Sequence, residues 1–141
     1  MSAETEAQAR PITEPEARCS NLFRHRLQPE AGCHGGEGTI AVFRPFQRAA
    51  LSPAAVDFID LVVIPPGATI GRHRHGDNEE WYVILAGAGR MWFGGEWRAV
   101  QAGDILVNPP HGEHELRNGS AADIHLLVFQ TSDGRLPPGQ H

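Results

Sequence analysis

Between Thr39 and Gln130 the apolar positions come in short bursts, each closed by glycine, proline, asparagine or aspartate. Thr39–Phe43 is β-branched and apolar and ends before Pro45, and Val56–Ile64 (VDFIDLVVI) stops at Pro65-Pro66-Gly67. Trp81–Leu85 closes at Gly87-Ala88-Gly89. Arg90–Phe93 and Glu96–Val100 flank Gly94-Gly95, the strongest hairpin signal in the chain, because both central residues of such a turn need positive φ. Ile105–Val107, Glu113–Arg117 and Ile124–Gln130 complete the set. No stretch between residues 39 and 131 keeps a helical apolar period over three turns. Strands at this spacing, separated by turn residues, predict an all-β sandwich or barrel.

Composition agrees. The 141 residues include 16 glycines and 11 prolines, which favours tight turns over long helices. Residues 19–131 are read as one domain with its core at 56–130, flanked by a disordered N-terminal arm (1–18) and a flexible tail (132–141). The arm carries almost no large apolar residue to offset its ordering entropy. The formal net charge is −5 and no run of Lys or Arg could track phosphates, so no nucleic-acid partner is expected. Nothing approaches a membrane span or a signal peptide, and the only cysteines are Cys19 and Cys33. The expectation is a cytoplasmic protein with reduced thiols and no membrane partner.

Five of the eight histidines lie between His73 and His125. His73 and His75 are two residues apart, so on a strand both side chains face one way. Gly76-Asp77-Asn78 then turns the chain into Glu79-Glu80, and His114 opens a later strand in phase with Leu116. Neutral imidazoles and a carboxylate converging from several strands would chelate a divalent metal. The competing reading is a set of solvated polar residues around a turn.

The spacing carries a resemblance. Gly67-x5-His73-x-His75-x4-Glu80-x6-Gly87 is similar to the first motif of the cupin superfamily. Gly103-x5-Pro109-x4-His114-x3-Asn118 resembles the second. In the second motif a glycine is replaced by His111, with Gly112 directly after it, a departure that bears on the turn and not on the ligand. The resemblance covers about residues 56–130. It implies a conical β-barrel of jelly-roll type and four metal ligands: His73, His75, Glu80 and His114. Glu79 competes with Glu80, but the distance to Gly87 and the inward phase shared with Tyr82 favour Glu80. Three imidazoles and one carboxylate suit Fe, Mn, Ni, Cu or Zn as a divalent ion. The implied activity is a small-molecule enzyme of dioxygenase, isomerase, decarboxylase or cyclase/synthase type; the alternative is a non-catalytic metal- and ligand-binding module. Candidates for proton transfer are Tyr82, His34 and His125.

The remaining features are secondary. Gly32–Gly38 (GCHGGEG) is either a glycine turn or a lid bringing Cys33, His34 or Glu37 to the barrel mouth. His125 is either a pocket base or a residue bonded at an interface. The expected pocket lining is Tyr82, Ile84, Met91, Phe93, Leu116 and Leu126. Arg72 and Arg74 fall on the outer face, opposite the histidines. Trp81, Trp92 and Trp97 are read as outer packing residues. The apolar outer face at Trp81, Val83 and Leu85 suggests a homodimer.

Overall fold

A computed structural model describes residues 9–16, 19–48 and 55–132. Their strands are β1 (Gln28–Ala31), β2 (Thr39–Gln47), β3 (Val56–Ile64), β4 (Thr69–Arg74), β5 (Glu79–Ala86), β6 (Ala88–Phe93), β7 (Glu96–Gln101), β8 (Ile105–Asn108), β9 (Glu113–Arg117) and β10 (Ile124–Thr131), with a short 3-10 turn at Cys33–Gly35. They form a six-stranded sheet, order β1-β2-β3-β10-β5-β8, and a four-stranded sheet, order β4-β9-β6-β7. Every pairing is antiparallel. The all-β, jelly-roll barrel expectation holds.

The core lies between the sheets because strand alternation aims one side of each strand inward. In β10, Ile124, Leu126, Val128 and Gln130 are buried while the residues between them are only half-buried. Ile84 and Leu126 from the larger sheet meet Met91 and Leu116 from the smaller one. Leu116 is wholly buried, so its truncation to alanine costs about 2–5 kcal/mol. The Gly94-Gly95 hairpin is present, with φ of 61° and 83° and Phe93 paired to Glu96.

Two local features depart from the sequence reading. β1 is a four-residue exposed edge without apolar alternation, so no periodicity announces it. β2 does not stop at Pro45. Its pairing with β3 shifts between Phe43↔Leu61 and Phe46↔Ile59, so Arg44 and Pro45 together oppose Asp60. This is a β-bulge, where a proline is tolerated because the ladder is already interrupted. Of the two flanking segments, residues 9–16 are exposed and form no strand or helix; positions 1–8, 17–18 and 133–141 lie outside the described residues. No helix among the described residues is long and apolar enough to cross a membrane.

Candidate metal centre

His73 on β4 and His114 on β9 are direct cross-strand partners, which places their rings side by side. His75 lies one residue past the end of β4 and keeps its inward phase; its backbone N–H donates to Gly112 O at 3.0 Å. Glu80 enters from β5 in the other sheet, with Tyr82 and Ile84 buried on the same phase. Glu79 is half-buried on the opposite phase, so alternation selects Glu80. His75, Glu80 and His114 are all buried, and one ligand atom from each of the four residues lies within 4.8 Å of every other.

The Nε2 atoms form a tight triangle: His73 to His75 at 3.0 Å, His75 to His114 at 3.2 Å, His114 to His73 at 2.9 Å. Glu80 Oε1 lies 3.1 Å from His75 Nε2, 3.1 Å from His114 Nε2 and 4.0 Å from His73 Nε2. Two rings have their tautomer set from behind. His73 Nδ1–H donates to Gly71 O at 2.7 Å, and His75 Nδ1–H donates to Asn78 Oδ1 at 2.9 Å. Each then offers an Nε2 lone pair to the common centre. Lone pairs facing one another and a carboxylate repel unless a cation sits among them, so the donor chemistry fits a metal ion.

The six donor separations run from 2.9 to 4.0 Å, so a single ion could be held by all four residues.

Burial and charge act together on the surrounding groups. Burial pushes the Glu80 carboxyl up, but hydrogen bonds and charge from His114 and His75 overcome this and hold it below the usual carboxylate range. Burial lowers His73 to about 4, more than its bond to Gly71 restores. For His75 burial also acts downward, yet Glu80 wins and the net direction is up. Burial raises the Tyr82 phenol well above its ordinary value, with Glu80 adding to it. Burial, then Glu30, raises the Cys33 thiol to about 12, so it stays protonated and is a poor nucleophile.

The His34 ring stacks on His73 with centroids 3.7 Å apart and planes 12° from parallel. Its backbone is left-handed (φ 49°, ψ 38°), uncommon for a non-glycine residue. The 32–38 segment is strapped to β4, since Glu37 N donates to Thr69 Oγ1 at 2.7 Å and Thr69 N to Glu37 O at 2.8 Å. A Cβ on Gly71 would stand 2.3 Å from His34 O, so this glycine permits close backbone contact. The segment is a tied-down turn over the site.

A cavity of about 610 Å³ opens onto Glu80, Tyr82, Cys33 and His34. The expected lining needs correction. Tyr82 lines the cavity, but Ile84, Met91, Leu116 and Leu126 belong to the solid core and Phe93 packs against it. The apolar wall comes instead from Ile40, Val42, Phe58, Val62, Ile70 and Val128. Four of these six wall residues lie on β2 and β3. His125 is not brought to the cavity: it alternates away from Ile124 and Leu126, on the outer face of β10. Arg72 and Arg74 are exposed opposite the histidines, Arg72 lying 4.1 Å over the Trp92 ring. Trp81 stacks on Phe129 and Trp92 meets Trp97 edge-on. His111 occupies a left-handed position (φ 61°), the backbone state that suits the glycine it replaces.

Sequence reasoning missed Arg44, Asp60 and Asn78. A signal existed for Asp60, a carboxylate on the inward phase of an apolar strand between Phe58 and Val62. Such a group needs a buried partner. Arg44 supplies it, through Nε to Oδ1 at 2.7 Å and Nη2 to Oδ2 at 2.9 Å.

The cupin domain family matches residues 60–129. An oxalate-binding protein from Thermotoga maritima is 28% identical over 111 residues, 79% of this chain and 88% of that protein. Among solved structures, a predicted oxalate decarboxylase from Thermotoga maritima superposes with a TM-score of 0.75 at 21% identity, covering 79% of this chain and 96% of that one. A cupin 2 conserved barrel domain protein from Salinispora arenicola gives a TM-score of 0.63 at 19% identity, covering 83% and 90%. At these identities the structures speak for the fold.

Proposed function

Since the chain belongs to the cupin superfamily, we propose that it is a metal-dependent enzyme acting on a small organic molecule, with His73, His75, Glu80 and His114 as ligands to one divalent ion. The observation that carries this reading is the donor set: three imidazole nitrogens and one carboxylate oxygen converge, all within 4.8 Å of one another, and could hold one ion. Such an ion supplies Lewis-acid polarisation or oxygen activation when bound. The chain's own groups do the rest. Asn78 and the Gly71 carbonyl orient two imidazoles, and the apolar wall excludes water. Tyr82 stays a neutral phenol that can donate a proton or a hydrogen bond beside Glu80. His34, whose pKa burial lowers, is a neutral imidazole able to accept one. His125 takes no part in this chemistry, because it lies on the far face of β10. The name of the Thermotoga maritima relative, an oxalate-binding protein, supports a small organic acid as the ligand without choosing among the four reaction types. The outer apolar face, with Trp81 stacked on Phe129 and Ile105 63% exposed, supports a homodimer.

One comparison favours a second reading. The curated relative is named for binding oxalate and not for turning it over, which supports a non-catalytic carboxylate-binding module. The test is elemental analysis of the isolated chain and its His114→Ala variant, followed by turnover and ligand-induced thermal shifts of the loaded protein. About one metal per chain, lost in the variant, together with turnover lost in the variant, is the expected result. Metal content unchanged in His114→Ala sinks both readings; ligand binding without turnover selects the second.

A further inference from the structure

The cavity has a second polar end that the metal-centred chemistry does not use. The Arg44-Pro45 bulge turns the Arg44 side chain inward to meet Asp60. Bulges next to sites commonly re-aim a side chain in this way. Asp60, Val128 and Tyr82 occupy one row across β3, β10 and β5. Two strand spacings therefore separate this end from Tyr82, about 10 Å. The wall between is apolar, formed by Phe58, Val62 and Val128.

Arg44 is not exhausted by its ion pair. The fork to Asp60 uses Nε and one Nη2 hydrogen, while Nη1 has no hydrogen-bond partner among the described residues. The guanidinium face is held 4.0 Å over the Phe58 ring. A guanidinium fixed on two sides, in a cavity wall, is preorganised to donate to a ligand. Formal charge decides what kind of group it receives. Among the described residues Asp60 neutralises Arg44 and Glu30 lines the same cavity, which leaves a formal charge of −1 on these three groups. A charged carboxylate is repelled there, whereas an amide, carbonyl or hydroxyl can accept from Nη1 without penalty.

We propose that Arg44, positioned by Asp60, is the specificity-determining contact for the far end of the ligand. The ligand is then an elongated molecule with a metal-binding head, an apolar middle and an uncharged polar tail. The inference rests on the metal-dependent reading for the head and adds the substrate class.

The experiment uses the metal-loaded full chain and three probes: acetohydroxamate, and two hydroxamates sharing one short alkyl chain that ends in a primary amide or in a carboxylate. Calorimetry should give the amide-tailed probe an affinity about ten-fold above both others, as one hydrogen bond from a charged donor provides. Arg44→Ala should lower the affinity for the amide-tailed probe about ten-fold, while acetohydroxamate, too short to reach Arg44, binds as before. Arg44→Ala leaves Asp60 without its partner, so Arg44→Ala/Asp60→Ala is measured beside it. Equal binding of the two tails, tighter binding of the carboxylate, or an amide-tail affinity unchanged in both variants overturns the inference and leaves the metal reading standing. Failure of acetohydroxamate to bind the loaded chain overturns the metal reading and this inference with it.

Discussion

At one end of the cavity four donor atoms point at a common centre and their supporting groups lie behind them, Gly71 O behind His73 and Asn78 Oδ1 behind His75. At the other end Arg44 and Asp60 point at each other. The first arrangement is unsatisfied without a cation; in the second the charges are already paired, and Arg44 Nη1 is left to donate. Ion binding is therefore coupled to stability at the histidine end, since a ligand that binds only the folded state adds about 2.7 kcal/mol at a hundred times its dissociation constant. The Arg44 end gains little stability from occupancy and contributes selectivity.

The largest effect that sharpens this contrast is on metal affinity. Asn78→Ala removes the acceptor behind His75, so the ring loses both its tautomer bias and its orientation. Loss of such a support lowers affinity about 10- to 100-fold. Competition with a chelator measures it, and Arg44→Ala in the same assay should leave metal affinity where it was. Equal losses in the two variants would break the contrast.

A mechanical effect comes next. Gly71→Ala would place a Cβ 2.3 Å from His34 O and 2.6 Å from Gly36 N, both backbone atoms that cannot step aside. The strapped turn must move, carrying His34 off His73, at a cost of about 1–3 kcal/mol. Gly76→Ala, where a Cβ meets nothing within 4 Å, is the matched control and should cost less than about 1 kcal/mol. Denaturant unfolding of the metal-free forms separates the two.

These sites were legible in the sequence to different degrees. The ligand end could be read because metal binding demands particular residue types, and strand alternation converts the spacing of His73, His75 and Glu80 into a shared direction. Most strand limits followed the apolar bursts for the same reason. The far end was hidden because it depends on pairing: nothing local says that Pro45 sits in a bulge or that Arg44 will oppose Asp60. β1 was invisible because an exposed edge strand needs no apolar alternation. The cavity wall was misassigned because inward phase identifies a core position without saying which core positions leave space between them.

The metal-free chain should also depend on pH through its histidine end. His73 sits at about 4 against an ordinary 6.5, so its contribution to stability is present above 6.5 and lost as pH falls toward 4. Glu80, held below the ordinary 4.5, adds a loss at still lower pH. His75 works the other way: its raised value gives stability present below 6.5 that disappears as pH rises through its folded value. Opposed terms predict a shallow maximum in the weakly acidic range for the metal-free chain. NMR titration of the metal-free chain checks this, with the His73 imidazole titrating at about 4. A His73 resonance that titrates near 6.5 would contradict the burial argument.

The smallest effect concerns the departure from the second motif. His111 holds a left-handed backbone at φ 61°, with its ring 2.7 Å from Asp77 Oδ1 and its carbonyl accepting from Arg74 Nη1 at 2.7 Å. His111→Gly relieves a left-handed cost of about 1–2 kcal/mol. Glycine returns about 0.5–1 kcal/mol of that through greater freedom in the unfolded chain. The ring's contact with Asp77 is exposed, and such pairs add little. The backbone bonds survive, since His111 N still donates to Gly76 O and its carbonyl still accepts from Arg74. The net change in stability should stay within about 1 kcal/mol by denaturant unfolding, with metal affinity unaltered because no contact to His114 is removed. A large fall in metal affinity would mean that the His111–Asp77 contact helps set the path of Gly76-Asp77-Asn78 behind His75, making the loop part of the same support as Asn78.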